Sequence, residues 1–300
     1  MARRTKQIVA IIFTSLIFII HLVFNGLAGA GDNNLFPTSV GNISNKFSLE
    51  ITPVSKTFSI WGVIFTYQVL WIIYAISTIF RNSNANKILS TKFFVFFNLA
   101  VITLTVWLFV WCVKSIVGSF VVLVIGQIFL DLTLYFALTD FYEFTSTQSN
   151  LTENKWDLWA HRILVQNGIL FYGTWTTVAS LINTGIFLKY ELEVKSQTAS
   201  LVGLSILAVL ILAWFILENF VLTAYTGYTF TAYIVLIWAF TGIHIGVWNK
   251  NTPVAVFNCV LLVFSCLFLV ARIVILIVRN SKKASYETIG YDAKQGAVRT

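Results

Sequence analysis

The feature that most constrains this chain is the recurrence of long apolar runs separated by short polar joints. A bilayer core is roughly 30 Å of hydrocarbon, which an α-helix crosses with about 20 residues, and every backbone group inside it must be bonded internally. Eight stretches are long enough: 8–28, 57–80, 92–113, 116–139, 161–188, 199–223, 228–248 and 253–278. Of the 300 residues 58% are hydrophobic and only 11% charged, more apolar surface than one water-soluble core can hide. The sequence therefore predicts an all-α integral membrane bundle of eight transmembrane helices. Pro37, Pro53 and Pro253, the only prolines, lie between runs or at the first position of one, so no span should be kinked by proline.

Basic residues near the span ends set the orientation. Lys46, Lys56, Lys114, Lys189, Lys195 and Lys250 flank the spans on one side; 13 of the 20 Lys and Arg lie on the side of the N-terminus, and Arg272 falls within a span. This predicts both termini in the cytoplasm, and it reads the net charge of +8 as basicity at a membrane surface with lipid, not nucleic acid, as the partner. The opening MARRTKQ, the apolar run after it and the small residues Ala28, Gly29 and Ala30 also fit a cleaved secretory signal, which would leave seven helices. The run continues through Leu22, Val23, Phe24 and Leu27 to a spanning length, which favours a retained first helix. The longest outer segment, 29–56, carries the glycosylation sequon at Asn42; a second, at Asn150, falls on the inner side and should be silent. The polar tail, 279–300, reads as disordered and cytoplasmic. Its YETI sequence, Tyr286 to Ile289, has the form of a tyrosine-based sorting signal and points to the plasma membrane or an endolysosomal membrane.

Enzyme chemistry is not written in this chain, which shows no nucleophile motif, phosphate loop or spaced carboxylate pair. His21, His161 and His244 sit on three different spans with no metal-binding spacing. Cys112, Cys259 and Cys266 all fall within spans and read as buried small apolar residues. Asp131, Glu218 and Arg272 each lie inside a span at similar depth, where an unpaired charge costs about 2.5–3.5 kcal/mol or more. The economical expectation is that they meet, with Glu218 and Arg272 as a structural clamp. Gly242 to Gly246, GIHIG, adds a small-xxx-small packing site, and a homodimer is left open.

The fifth span is the unusual one. FYGTWTTVASLIN, residues 171–183, carries Tyr172, Thr174, Thr176, Thr177, Ser180 and Asn183 inside an apolar run. At about 100° per residue, Tyr172, Trp175, Ala179, Ile182 and Asn183 share one face. That face mixes large aromatics with an alanine and an amide, as a pocket wall does. Gln166, Gly173, Thr177, Ser180 and Thr184 form a second stripe, small and weakly polar, of the kind that lets membrane helices approach and share hydrogen bonds.

The first face resembles the fifth-helix signature of the TspO/MBR family, the translocator and tryptophan-rich sensory proteins, Tyr-x-x-Trp-x-x-x-Ala-x-x-Leu-Asn. Tyr172, Trp175, Ala179 and Asn183 match it, with Ile182 in place of the leucine. IWGVIF, Ile60 to Phe65, is similar to the family's tryptophan motif on the second helix. Leu104 stands where the family has an asparagine before the third-helix tryptophan, and Phe171 where it has a proline. The resemblance covers residues 1–188 as a five-helix membrane region; it leaves 189–278 as three additional helices of the same bundle, as in longer, eight-span relatives. It implies a bundle that binds a flat apolar ligand, a tetrapyrrole or a sterol, and possesses no other cofactor, beneath the long first loop. Trp61, Trp175, Ala179, Ile182 and Asn183 would line that site. LKYELEVK, Leu188 to Lys195, fits the cholesterol pattern found at this place in the family.

Two other classes stay open. A small-solute or proton-coupled transporter would use the intramembrane charges, although no span is broken by Gly or Pro at mid-membrane. A seven-helix receptor would follow from signal cleavage, although DRY-like and NPxxY-like motifs are missing. A retinal protein is excluded, since 253–278 contains no lysine for a Schiff base.

Overall fold

The computed structural model describes residues 2–81, 88–147 and 155–298, with side chains from Arg4 to Ser281. The Asn150 sequon and the side chains of the YETI stretch lie outside these. Every regular element among the described residues is a helix. In order they are α1 (Ala2–Ala30), α2 (Val40–Lys46), a 3-10 turn (Ser55–Ser59), α3 (Ile60–Phe80), α4 (Thr91–Cys112), α5 (Ile116–Thr147), α6 (Lys155–Ala160), a π-helical segment (His161–Gln166), α7 (Asn167–Tyr190), α8 (Ser196–Ile216), a second π segment (Leu217–Val221), α9 (Thr231–Val247) and α10 (Pro253–Val298).

α7 is the axis of the bundle. It packs against α3, α5, α8 and α9; α1 lies on α3 and α4, and α10 closes the far side on α8 and α9. Valines, leucines and isoleucines such as Val9, Ile12, Ile128, Val209, Val256 and Leu267 face outward, the surface expected where the solvent is lipid.

Among the described residues six helices are long and apolar enough to cross a membrane: α1, α3 with its preceding turn, α4, α5, α8 with its π segment, and α10. The other two expected spans do not meet that measure, so the count of eight is not fixed by length and composition. α9 has only 17 residues, and α7, with 24, is too polar. Both are the enclosed members of the bundle: 14 of 24 residues are buried in α7 and 10 of 17 in α9. A helix whose neighbours are helices need not be apolar all round.

The threonines of α7 are satisfied along its own axis, while the Ser180 hydroxyl is buried without a partner in the protein. Thr174, Thr176, Thr177 and Thr184 donate to the carbonyls four residues earlier, at 2.8–3.0 Å. The Thr177 and Thr184 hydroxyls expected to be shared between helices are thus spent within one. Close approach occurs on a neighbouring stripe instead, where a Cβ added to Gly203 of α8 would stand 3.2 Å from the Leu181 carbonyl.

One further expectation is corrected. Cys259 and Cys266 lie on the exposed face of α10 and only Cys112 is partly covered, because α10 buries a single stripe against α8 and α9. The helical backbone of α10 runs through Val298.

The Glu218–Arg272 pair ties the α8–α10 corner together. Both side chains are fully buried, with Arg272 Nε 3.4 Å from Glu218 Oε2. Arg272 also donates to the Thr229 carbonyl at 2.9 Å, to Asn219 Oδ1 at 2.8 Å and to the Thr226 carbonyl. Glu218 accepts from Thr229 Oγ1 at 2.6 Å and from the Tyr233 hydroxyl at 2.7 Å. The consecutive residues Glu218 and Asn219 of the π segment both reach the same guanidinium. Asp131 takes no part. It is exposed on α5 and accepts from Gln127 Nε2 at 2.8 Å, so equal depth did not mean a shared face.

Arg272→Met or Glu218→Gln alone should lower stability by about 3–5 kcal/mol, since each leaves a buried partner unmatched. Thermal unfolding in detergent checks this, and the double variant should lose less than the sum of the single losses.

Candidate functional site

The joint between α1 and α3 folds back over one end of the bundle. Gly31 ends α1 with φ +66°, and a Cβ there would meet the Ser39 backbone nitrogen at 2.5 Å, so only glycine permits so tight a return. Ser39 then caps α2, its hydroxyl accepting from the Asn42 amide at 3.2 Å. Asn42 itself is exposed on this short helix. Lys189 Nζ donates to the Ser48 carbonyl at 2.9 Å, and the Tyr190 hydroxyl lies 3.4 Å from the same oxygen. Two residues of the LKYELEVK stretch thus fasten this joint to the end of α7.

Beneath the joint is a cavity of about 520 Å³, within the size range of small-molecule sites. Trp61, Trp175, Ala179, Ile182 and Asn183, the five positions carried over by resemblance, all line it, together with Tyr172. Trp61 sets its ring edge-on to Trp175, centroids 6.2 Å apart at 90°, and to Tyr172 at 6.1 Å and 84°. Phe58, from the 3-10 turn, meets Trp175 in the same way at 6.1 Å. Trp107 and Trp111 of α4 stack on each other at 5.7 Å and form the facing wall. The indole N–H groups of Trp107, Trp111 and Trp175 are buried without an acceptor in the protein. Asn183 donates to the Ala179 carbonyl at 3.2 Å.

Among the described residues no Asp, Glu, Lys or Arg lines the cavity, and the Glu218–Arg272 pair lies elsewhere, at the α8–α10 corner. The lining also includes residues that sequence reasoning did not single out. His21 and Asn25, one turn apart on α1, form the floor with Tyr172, and Gly26 and Gly29 stand exposed at the rim. The signal for His21 and Asn25 was their i, i+4 spacing, two polar residues on one face of an otherwise apolar span.

α9 supports the wall from behind. The Val54 amide donates to the Gly242 carbonyl at 3.2 Å, and Trp238 Nε1 donates to the Thr57 carbonyl at 2.8 Å. Thr57 packs directly over Gly242, where an added Cβ would come within 2.1 Å of its Oγ1. The first glycine of GIHIG therefore receives the 3-10 turn that carries Phe58, within the same chain.

An all-α bundle with a lipid-facing apolar surface and an uncharged aromatic cavity under one end defines a multi-pass membrane protein. The profile of the family described as TSPO-like protein matches residues 10–278, and the chain belongs to that family. The match runs through α8, α9 and α10, so the three helices that the five-helix resemblance leaves over lie inside the family region. Comparison with the curated proteins and with the solved structures finds no match.

Gly242→Ala should force Thr57 off its seat and cost about 1–3 kcal/mol, as overpacking does. Gly246→Ala, whose new Cβ would lie 3.7 Å from Val54 Cγ1, should be close to neutral. Melting temperatures of the two variants in one detergent make the comparison.

Proposed function

We propose that this TspO-like membrane protein binds a flat apolar ligand, of the tetrapyrrole or sterol class, in the cavity enclosed by α1, α3, α4 and α7, and exchanges it with the surrounding bilayer. The observation that carries this reading is the convergence of Trp61, Trp175, Ala179, Ile182 and Asn183, with Trp107 and Trp111 opposite, on one uncharged volume of about 520 Å³. Aromatic faces offer stacking area to a planar ring system, and the small Ala179 leaves it room.

The ion pair supports a structural role, since both of its side chains are buried and hydrogen-bonded to their neighbours. It offers no open station for a solute.

The same reading keeps both termini in the cytoplasm, supported by the excess of Lys and Arg on that side. The cavity rim and the exposed Asn42 then belong to the outer side, where the Asn42 sequon can be glycosylated. A plasma-membrane or endolysosomal location follows from the tail sequence alone.

Titration with a fluorescent sterol and with a porphyrin should change tryptophan emission in a saturable way for at least one of them. Trp175→Leu and Ala179→Phe should each weaken that binding about tenfold or more, roughly 1.4 kcal/mol. Changes that never saturate, or that survive both substitutions, would mean partition into lipid and detergent.

A further inference from the structure

The floor of the cavity has a hydrogen-bonding character of its own. His21 lies nine residues from the Ala30 end of α1, about 14 Å along the helix at about 1.5 Å per residue. It is 2% exposed, and its hydrogen-bonding neighbours are all neutral. Its Nδ1 is 2.7 Å from Thr105 Oγ1, and Thr105 gives its single proton to the Val101 carbonyl at 2.8 Å. The threonine oxygen can therefore only accept from the ring, which assigns the hydrogen to Nδ1 and leaves Nε2 as an acceptor.

Nε2 is poorly served by the protein. The Tyr172 hydroxyl is 3.4 Å away, long for an O–H donor. Asn25 Nδ2 stands 3.1 Å from Nε2 but also 3.2 Å from Nδ1, so it sits across the ring and not along the Nε2 lone pair, and it already donates to the His21 carbonyl at 2.8 Å. On the floor of the site an acceptor with only a long O–H partner thus stands beside a phenol donor.

We propose that His21 is the polar anchor of the cavity and determines its specificity: it selects a flat, uncharged ligand bearing one hydroxyl, bound hydroxyl-first. This deepens the binding reading above and rests on it. A hydroxyl completes both halves of the floor with one atom, donating to His21 Nε2 and accepting from Tyr172. A carboxylate in the same place would face the Nε2 lone pair with no cation in the lining, and burying an unpaired carboxylate is strongly unfavourable. Thr105 acts as a positioning residue, because it fixes the tautomer and touches no ligand.

The test uses the full chain in nanodiscs, with tryptophan-to-sterol energy transfer as the readout. The probes are dehydroergosterol, which has one hydroxyl, and its 3-O-methyl ether, which keeps the oxygen but cannot donate. The wild-type protein should prefer the hydroxyl form about tenfold or more, ~1.4 kcal/mol. His21→Phe should bring the two affinities together, and so should Thr105→Val, which frees the ring to carry its hydrogen on Nε2. His21→Gln, whose side-chain carbonyl can accept the same bond, should retain part of the preference.

Equal affinity for the two probes in the wild-type protein overturns the anchor and leaves the cavity standing as a binding site; so does a preference unchanged by His21→Phe in a protein of wild-type melting temperature. Absence of saturable binding by the wild-type protein of both sterols and of a porphyrin overturns the binding reading itself, and the anchor with it.

Discussion

Inside hydrocarbon a polar side chain has no water to turn to, and the arrangement of this bundle follows from where its polar groups find partners. Two solutions are used side by side. The threonines of α7 return their protons to their own helix, so these hydroxyls can stand at the centre without a donor or acceptor from a neighbour. Arg272 cannot be satisfied so locally. Its guanidinium gathers the π segment after α8, the 222–230 connection and α10 around one charge. The first solution leaves the face of α7 with Trp175 and Ala179 free to line a cavity; the second fixes the helices that stand behind it.

α9 connects these two regions. Tyr233, near its start, donates to Glu218, while Gly242 and Trp238, farther along, hold the 3-10 turn that carries Phe58. A single rigid helix of 17 residues, about 25 Å at about 1.5 Å per residue, thus spans from the buried ion pair to the wall of the cavity. This gives the last three helices a physical part in the site although none of their side chains lines it. They set where Phe58 stands relative to Trp175.

What could be read from the sequence was what lies along a helix. The face holding Trp175, Ala179 and Asn183 follows from helical periodicity, and it does turn inward toward the cavity that Trp61 also lines. What could not be read was which face meets which neighbour. Asp131 and Glu218 share a depth, yet depth leaves the rotation of each helix undetermined, and Asp131 points out of the bundle. GIHIG was legible as a place of close packing, but its occupant is a turn 185 residues earlier, Thr57 against Gly242, and not a second helix. His21 drew no attention as a lone histidine, because its meaning depends on Thr105, 84 residues away. Long-range pairings of this kind leave almost no trace in local pattern.

On the proposed reading the ligand arrives from lipid, not from water. A flat apolar molecule that reaches the rim at Gly26 and Gly29 from the bilayer leaves one apolar medium for another, so burial of its hydrocarbon yields little net free energy, just as it does for helix association in lipid. The selectivity of such a cavity must then come from what lipid chains lack: aromatic walls in fixed orientation and a hydrogen-bonding group held at a defined depth. Trp61 and Trp175, crossed at 90°, supply the first. The floor at His21, Asn25 and Tyr172 is where the second lies. In a low-dielectric setting one well-placed hydrogen bond weighs more than it would in water, and a lining without charges leaves that bond as the largest directional term a ligand can gain.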